Sequence, residues 1–283
     1  MITRRHFLQT SFLGAGSLAL PGIWPTSLSP IASDSFGFQA WTIRERLVQH
    51  PSEVAAEMAG YGYREIEMCS PLGYQGSGFG PLHKYKGGEL KELFLREGLK
   101  CTSSHFTFGE LKDHLDDRIA WSKDLGLEQM ILSTFWLPED ERTPDNYRKA
   151  ASELNRIAQI TKDNGLQMGF HNHHQEFDTV NGQLIYEVLL DEFDPDLVKM
   201  QFQVAVVNIG YKAADYFRKF PGRFISAHLS DWSATKKEQV PIGQGEVDWD
   251  DFFEAAKVGG LKNIYVEMAP ATFEPSARFL STI

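Results

Sequence analysis

The sequence predicts an α/β fold of one kind, a closed (β/α)8 barrel forming a single domain, and three observations predict it. Eight short apolar segments suit strands, an amphipathic segment follows each, and glycine repeatedly stands where a helix would give way to the next strand. The strand segments are Phe36–Trp41, Arg64–Cys69, Lys100–His105, Gln129–Thr134, Gln167–Asn172, Val198–Val204, Arg223–Leu229 and Asn263–Met268. Apolar residues at three- and four-residue spacing predict helices over Pro51–Ala59, Glu89–Glu97, Leu111–Leu125, Pro144–Asn164, Gln183–Glu192, Lys212–Phe220 and Trp249–Val258, with a short last one after Pro275. Gly98, Gly126, Gly165 and Gly260 close helices, because a helix C-terminus wants a residue that accepts the left-handed conformation. An eight-fold count favours closure over an open doubly wound sheet.

The first residues stand apart from this pattern. Arg4 and Arg5 are followed by no Asp, Glu, Lys or Arg until Asp34, and Phe7–Pro21 is apolar and small. Residues 1–32 resemble a twin-arginine export signal, which predicts a periplasmic protein whose mature chain is 33–283. The apolar run is short of the ~20 residues a membrane span needs, so no stable membrane insertion is expected after cleavage. A net charge of −10 argues against nucleic acid, whose backbone demands clustered Lys and Arg. The two cysteines, Cys69 and Cys101, fall on adjacent strands and are expected as buried thiols, with a disulfide as the alternative in an oxidising compartment.

In a (β/α)8 barrel the site forms at the C-terminal ends of the strands. Polar residues recur there: Glu65 and Glu67, Ser103 and His105, His171 and His173, Gln201 and Gln203, Ser226 and His228, and Glu267. Within each strand they lie two apart and share one face. One histidine at a strand end suits a structural hydrogen bond as well as a ligand, but recurrence at one end of several strands predicts a polar cavity. The glycine-rich connection Ser70–Gly88 suits either a lid or a surface insertion.

Several runs carry a family resemblance. Gly169-Phe170-His171-Asn172-His173-His174-Gln175-Glu176-Phe177 resembles the strand-five motif of the xylose isomerase-like TIM barrel family, and Phe224-Ile225-Ser226-Ala227-His228-Leu229-Ser230-Asp231 its strand-seven motif. Gly243-Gln244-Gly245-Glu246-Val247-Asp248 is similar to the loop that follows, Val266-Glu267 to the end of strand eight, and Phe38–Thr42 and Ser104-His105 to strands one and three. The resemblance implies one divalent metal ion (Mn, Zn, Co or Mg) held by Glu176, Gln203, His228 and Glu267, with His171 or His173 as alternative strand-five ligands. Gln203 stands where the family usually has Asp, and a neutral ligand lowers affinity or alters metal preference.

The resemblance further implies a sugar isomerase or epimerase working by proton removal next to a carbonyl, with Glu176, Glu267 and His105 as catalytic groups. Trp41, Glu67, His171, His173 and Gln244 would bind substrate, with Trp41, Phe106 and Trp136 as flat apolar walls. Export and the lack of a basic cluster at any strand end favour an unphosphorylated sugar or sugar derivative. A lyase or hydratase acting on keto-sugars or keto-glycosides, and an inactive sugar-binding barrel, are the alternatives; an abasic-site endonuclease on the same barrel is opposed by the acidic charge. Self-association into a homo-oligomer stays open.

Overall fold

The computed structural model describes residues 35–283. The export signal expected over residues 1–32 lies outside them. Eight parallel strands close on themselves in chain order: β1 Gly37–Gln39, β2 Glu65–Cys69, β3 Lys100–Phe106, β4 Gln129–Leu132, β5 Gln167–His171, β6 Val198–Gln203, β7 Phe224–Leu229 and β8 Asn263–Val266. The principal outer helices are α1 Pro51–Tyr61, α2 Gly87–Arg96, α3 Leu115–Leu125, α4 Pro144–Asp163, α5 Ile185–Glu192, α6 Ala213–Lys219, α7 Trp249–Gly259 and α8 Phe273–Leu280.

Local sequence explains the elements. In α4, Thr143 caps the N-terminus by accepting from the Asn146 amide at 3.3 Å, and Pro144 occupies the first turn. Tyr147, Ala151, Leu154, Ile157, Ala158 and Thr161 then face the barrel at helical spacing. Gly126 and Gly260 end α3 and α7 with φ of 91° and 89°, a conformation costly for any residue with a Cβ. In β6 the strand period sorts the residues: Met200 and Phe202 lie in the apolar layer between barrel and helices, where Phe202 packs on Tyr216, Phe217 and Phe224, while Gln201 and Gln203 join the polar contacts inside the barrel. Burying each such aromatic side chain contributes roughly 1.5–3 kcal/mol.

The structure also departs from the sequence expectations. Strand one stops at Gln39, because the Gln39 side chain accepts from the Trp41 amide and starts a 3-10 turn, so Trp41 lies beyond the strand. Strand four stops at Leu132, and Thr134 takes φ of 145°. The helix expected over Leu111–Leu125 is two helices, Phe108–Asp113 and α3, divided at His114. Gln183–Leu184 pairs with Thr179–Val180 as a small hairpin before α5 begins.

Both cysteines are free and buried. Cys69 is opposite His105 in the β2–β3 register, four residues beyond Cys101, so the two thiols stand at different heights of the barrel. No helix among the described residues is long and apolar enough to cross a membrane.

Candidate active site

Inward-facing side chains from six strands meet at the C-terminal end of the barrel. At the centre is Glu67, fully buried. Its Oε1 accepts from Ser103 Oγ at 2.6 Å and Gln201 Nε2 at 2.7 Å, while Oε2 meets His228 Nε2 and lies 3.2 Å from His105 Nε2. Gln201 also joins His105 at 2.7 Å and Ser226 Oγ at 2.9 Å. The other ring nitrogen of His228, Nδ1, is 3.0 Å from Glu267 Oε2, which also accepts from Gln203 Nε2 at 2.6 Å. His228 therefore bridges two carboxylates.

Electrostatics follow from this arrangement. Burial works against a charge on His228, yet Glu67 and Glu267 raise its pKa to about 9. Burial would raise Glu67, but the imidazoles of His105 and His228 overrule it and hold the carboxyl well below the usual range. Burial would raise Glu267 as well, but His228, with His105 and His173 behind it, holds it down. The neutral members behave oppositely. Burial, then the neighbouring histidines, push His171 far below its ordinary value, and burial first of all takes His173 down to about 4.

Three polar atoms in this region lack a partner: His171 Nδ1, His173 Nδ1 and Asn172 Nδ2. Buried donors and acceptors are normally satisfied, so unpaired ones at a strand end point to a ligand that completes them. The rings of His105, His171 and His228 pack with centroids 4.4–5.1 Å apart.

The sequence-derived candidates divide accordingly. His105, His171, His173, Gln203, His228 and Glu267 come together. Glu67 is at the same centre but beneath the histidines, with no exposed surface and both oxygens occupied, so it orients His228 and does not contact substrate; the substrate-binding role expected for it is corrected. Glu176 is buried in the turn after β5, where its carboxylate accepts from Thr134 Oγ1 at 2.6 Å, Gln175 Nε2 at 3.0 Å and the His173 amide at 2.7 Å. None of these bonds reaches His228, Glu267 or Gln203. Burial raises the Glu176 pKa.

Trp41 is half-buried and packs on Tyr74 and Phe79 of the 70–88 connection, with the Arg44 guanidinium 4.6 Å above its ring. Trp136 is 59% exposed and stands 5.6 Å from the His173 ring. Phe106 is not a wall of the site: it follows His105 in β3, points to the other side of the sheet, and packs on Trp121 of α3. Glu65 lies at the opposite end of the barrel, bonded to Thr102, Asn263 and Tyr265. Gln244 is exposed, in a loop secured by Asp231.

Several contributors had no role assigned from sequence. Thr134 holds Glu176, and its unusual φ has no sequence signal. Gln201 connects three strands. Asp231 accepts five hydrogen bonds: Oδ2 from the Gly243 and Gly245 amides and Trp249 Nε1, and Oδ1 from the Trp232 and Val247 amides. An aspartate followed at a distance by Gly-x-Gly was the available clue.

A divalent cation fits the donor set. His228 Nδ1 and Glu267 Oε2 converge, and the unpaired His171 nitrogen lies within the same group of rings.

The closed parallel barrel and this C-terminal polar centre accompany a match of residues 55–282 to the sequence profile described as Xylose isomerase-like TIM barrel. The chain belongs to that family. A sugar phosphate isomerase/epimerase from Parabacteroides distasonis superposes with a TM-score of 0.75 at 24% identity, covering 89% of this chain and 95% of its own. The probable 3-DHS dehydratase of petrobactin synthesis from Bacillus anthracis gives a TM-score of 0.66 at 10% identity, covering 87% and 98%. A xylose isomerase-like TIM barrel protein from Mycobacterium smegmatis, solved in complex with magnesium, gives 0.62 at 12%, covering 87% and 95%. No curated protein matches the chain. At these identities the likeness to solved structures shows the xylose isomerase-like fold, and the chemistry is argued from the site itself.

Proposed function

We propose that this barrel is an exported sugar isomerase or epimerase that removes a proton next to a carbonyl of an unphosphorylated sugar or sugar derivative. The observation that carries the proposal is the His228 imidazole between Glu67 and Glu267, next to the unpaired nitrogens of His171 and His173. Glu267 is partly accessible and held in its ionised form by His228, which suits a group that takes a proton from carbon. Glu176, with both oxygens taken by Thr134, Gln175 and the His173 amide, holds the turn that carries His173. His173, kept neutral, can donate or accept toward a sugar hydroxyl. A divalent ion held by His228 and Glu267 supplies, when bound, polarisation of the carbonyl and the adjacent hydroxyl.

Two features support a neutral substrate in an exported enzyme. Among the described residues no Lys or Arg hydrogen-bonds into the site, so nothing there clamps a phosphate. Arg4 and Arg5 ahead of an uncharged run support export; fractionation should find the processed chain in the periplasm, and the double substitution Arg4→Lys with Arg5→Lys should retain it in the cytoplasm. The deciding experiment is deuterium wash-in from D2O, read by mass spectrometry, across a panel of aldoses, ketoses and oxidised glycosides. Exchange at carbon beside the carbonyl, lost in Glu267→Gln while sugar binding persists, is the expected result. Binding without exchange by the wild type would leave a sugar-binding barrel.

A lyase or hydratase acting on a keto-sugar or keto-glycoside is the second reading. Gln203 favours it: a neutral amide donates to Glu267 where the family usually supplies another carboxylate. The Bacillus anthracis dehydratase uses the same fold. Loss of water or aglycone from the substrate in the same assay separates the two.

A further inference from the structure

We propose that His105, His171 and His228 form a three-imidazole metal face on β3, β5 and β7 which, with Glu267, selects a nitrogen-preferring ion of the zinc and cobalt kind over magnesium. The inference rests on the metal-assisted sugar reading above and specifies which residues hold the ion and which do not.

Each of the three histidines offers one ring nitrogen such that all three nitrogens lie within 4.8 Å of one another. The residues are 5%, 1% and 0% exposed, so the group is enclosed by protein. Two of the rings are already oriented: Glu67 Oε2 takes the Nε2 atoms of both His105 and His228. A carboxylate behind a ligating imidazole, fixing its tautomer and angle, is the usual support of a histidine metal ligand. The third ring, His171, has its Nδ1 buried with no partner at all. Gln201 ties the support together, bonding His105, Glu67 and Ser226. Glu267 then adds one oxygen donor, 3.0 Å from His228 Nδ1.

The oxygen-rich alternative is not assembled. The Glu176 carboxylate already accepts from Thr134, Gln175 and the His173 amide. Gln203 has both ends engaged, its nitrogen with Glu267 and its oxygen with the Ala205 amide at 3.2 Å. What remains is three imidazoles, of which His228 must release its proton to serve as a ligand, and one carboxylate. That set suits zinc, cobalt or nickel, whereas magnesium demands oxygen ligands and octahedral geometry. A four-ligand site of this composition is expected to keep a tetrahedral preference.

The test uses the full mature chain stripped of metal and titrated with Zn2+, Co2+ and Mg2+ by calorimetry, with the visible spectrum of the Co2+ form recorded in parallel. The expected result is one Co2+ or Zn2+ per chain, intense d–d absorption of a nitrogen-rich four-coordinate site, and far weaker Mg2+ binding. His105→Ala and His171→Ala should each weaken Zn2+ binding by about 100-fold, at the upper end of what disturbing a ligand shell costs. Glu176→Gln should leave it nearly unchanged. Circular dichroism reports whether the variants fold, and imidazole 15N shifts of the wild type on adding Zn2+ give a readout independent of any substitution: three histidines should move together. Zn2+ binding lost in Glu176→Gln but kept in His105→Ala, a preference for Mg2+, or no binding of any ion would overturn the proposal. Deuterium wash-in that continues in the metal-free chain would leave the sugar-enzyme reading standing while the metal face falls.

Discussion

Replacing Glu67 by glutamine isolates the charge at the centre of the site with little change of volume. Four donors converge on the Glu67 carboxylate: Ser103 Oγ at 2.6 Å, Gln201 Nε2 at 2.7 Å, His105 Nε2 at 3.2 Å and His228 Nε2. An amide keeps one acceptor oxygen but turns an NH2 group toward a former donor, and His228 is left with Glu267 alone. Breaking a buried ion pair by removing one partner typically costs ~3–5 kcal/mol, a large share of the ~5–15 kcal/mol that keeps a domain folded.

The pH dependence gives the sharper signature. A histidine whose folded pKa is raised stabilises fully below its unfolded value of about 6.5, and that contribution is lost as pH rises through about 9. The depressed Glu67 acts in the other direction: its contribution is present above the unfolded carboxyl pKa and lost as pH falls through the folded one. A shift of His228 from 6.5 to about 9 corresponds to roughly 3 kcal/mol, carried by two carboxylates. Urea unfolding at pH 5.5, 7 and 9 should therefore show wild-type stability falling between pH 6.5 and 9, with about half of that fall gone in Glu67→Gln. A cost below about 1 kcal/mol with an unchanged pH profile would refute the reasoning.

Two further substitutions probe the rim. Trp136 adopts φ of 52° with its ring 59% exposed, so Trp136→Gly relieves a strained backbone at little loss of burial; the melting temperature should change little, while sugar Kd rises about tenfold if the ring is a binding wall. Gly245→Ala places a Cβ against the Asp231 carboxylate and 2.6 Å from the Trp232 carbonyl, which should cost about 1–3 kcal/mol in thermal unfolding, whereas Gly109→Ala meets nothing within 4 Å and should be close to neutral.

The barrel was legible because its signals are periodic. Strand β6 alternates Met200 and Phe202 with Gln201 and Gln203, and α4 repeats its apolar residues over five turns, so neither needed a partner to be recognised. His105, His171, His228 and Glu267 were legible for the same reason, as polar interruptions in strands that should be apolar. Individual roles were not. Glu67 and Glu65 look alike in sequence, yet one is the centre of the site and the other closes the far end of the barrel, a difference set by height along the strand axis. Glu176 sits in a motif that suggests a ligand, but its direction depends on a turn held by Thr134, whose φ of 145° nothing in the local sequence foretells. Phe106 shows the converse: adjacency to His105 in sequence places it on the other face.

Asp231 has a consequence for how this surface can vary. It grips the 243–249 segment through the amides of Gly243, Gly245 and Val247 and the indole of Trp249, never through Gln244 or Glu246. Three of these four contacts are to main-chain atoms, which every residue type possesses, and the Gln244 side chain is exposed, whereas Glu246 Oε1 accepts from the Ala234 amide at 3.2 Å and so helps to fix the segment. Shape and recognition are uncoupled at this edge of the cavity. Exchanging the side chain at 244 therefore leaves the support beneath undisturbed, provided the glycines and the aspartate stay in place.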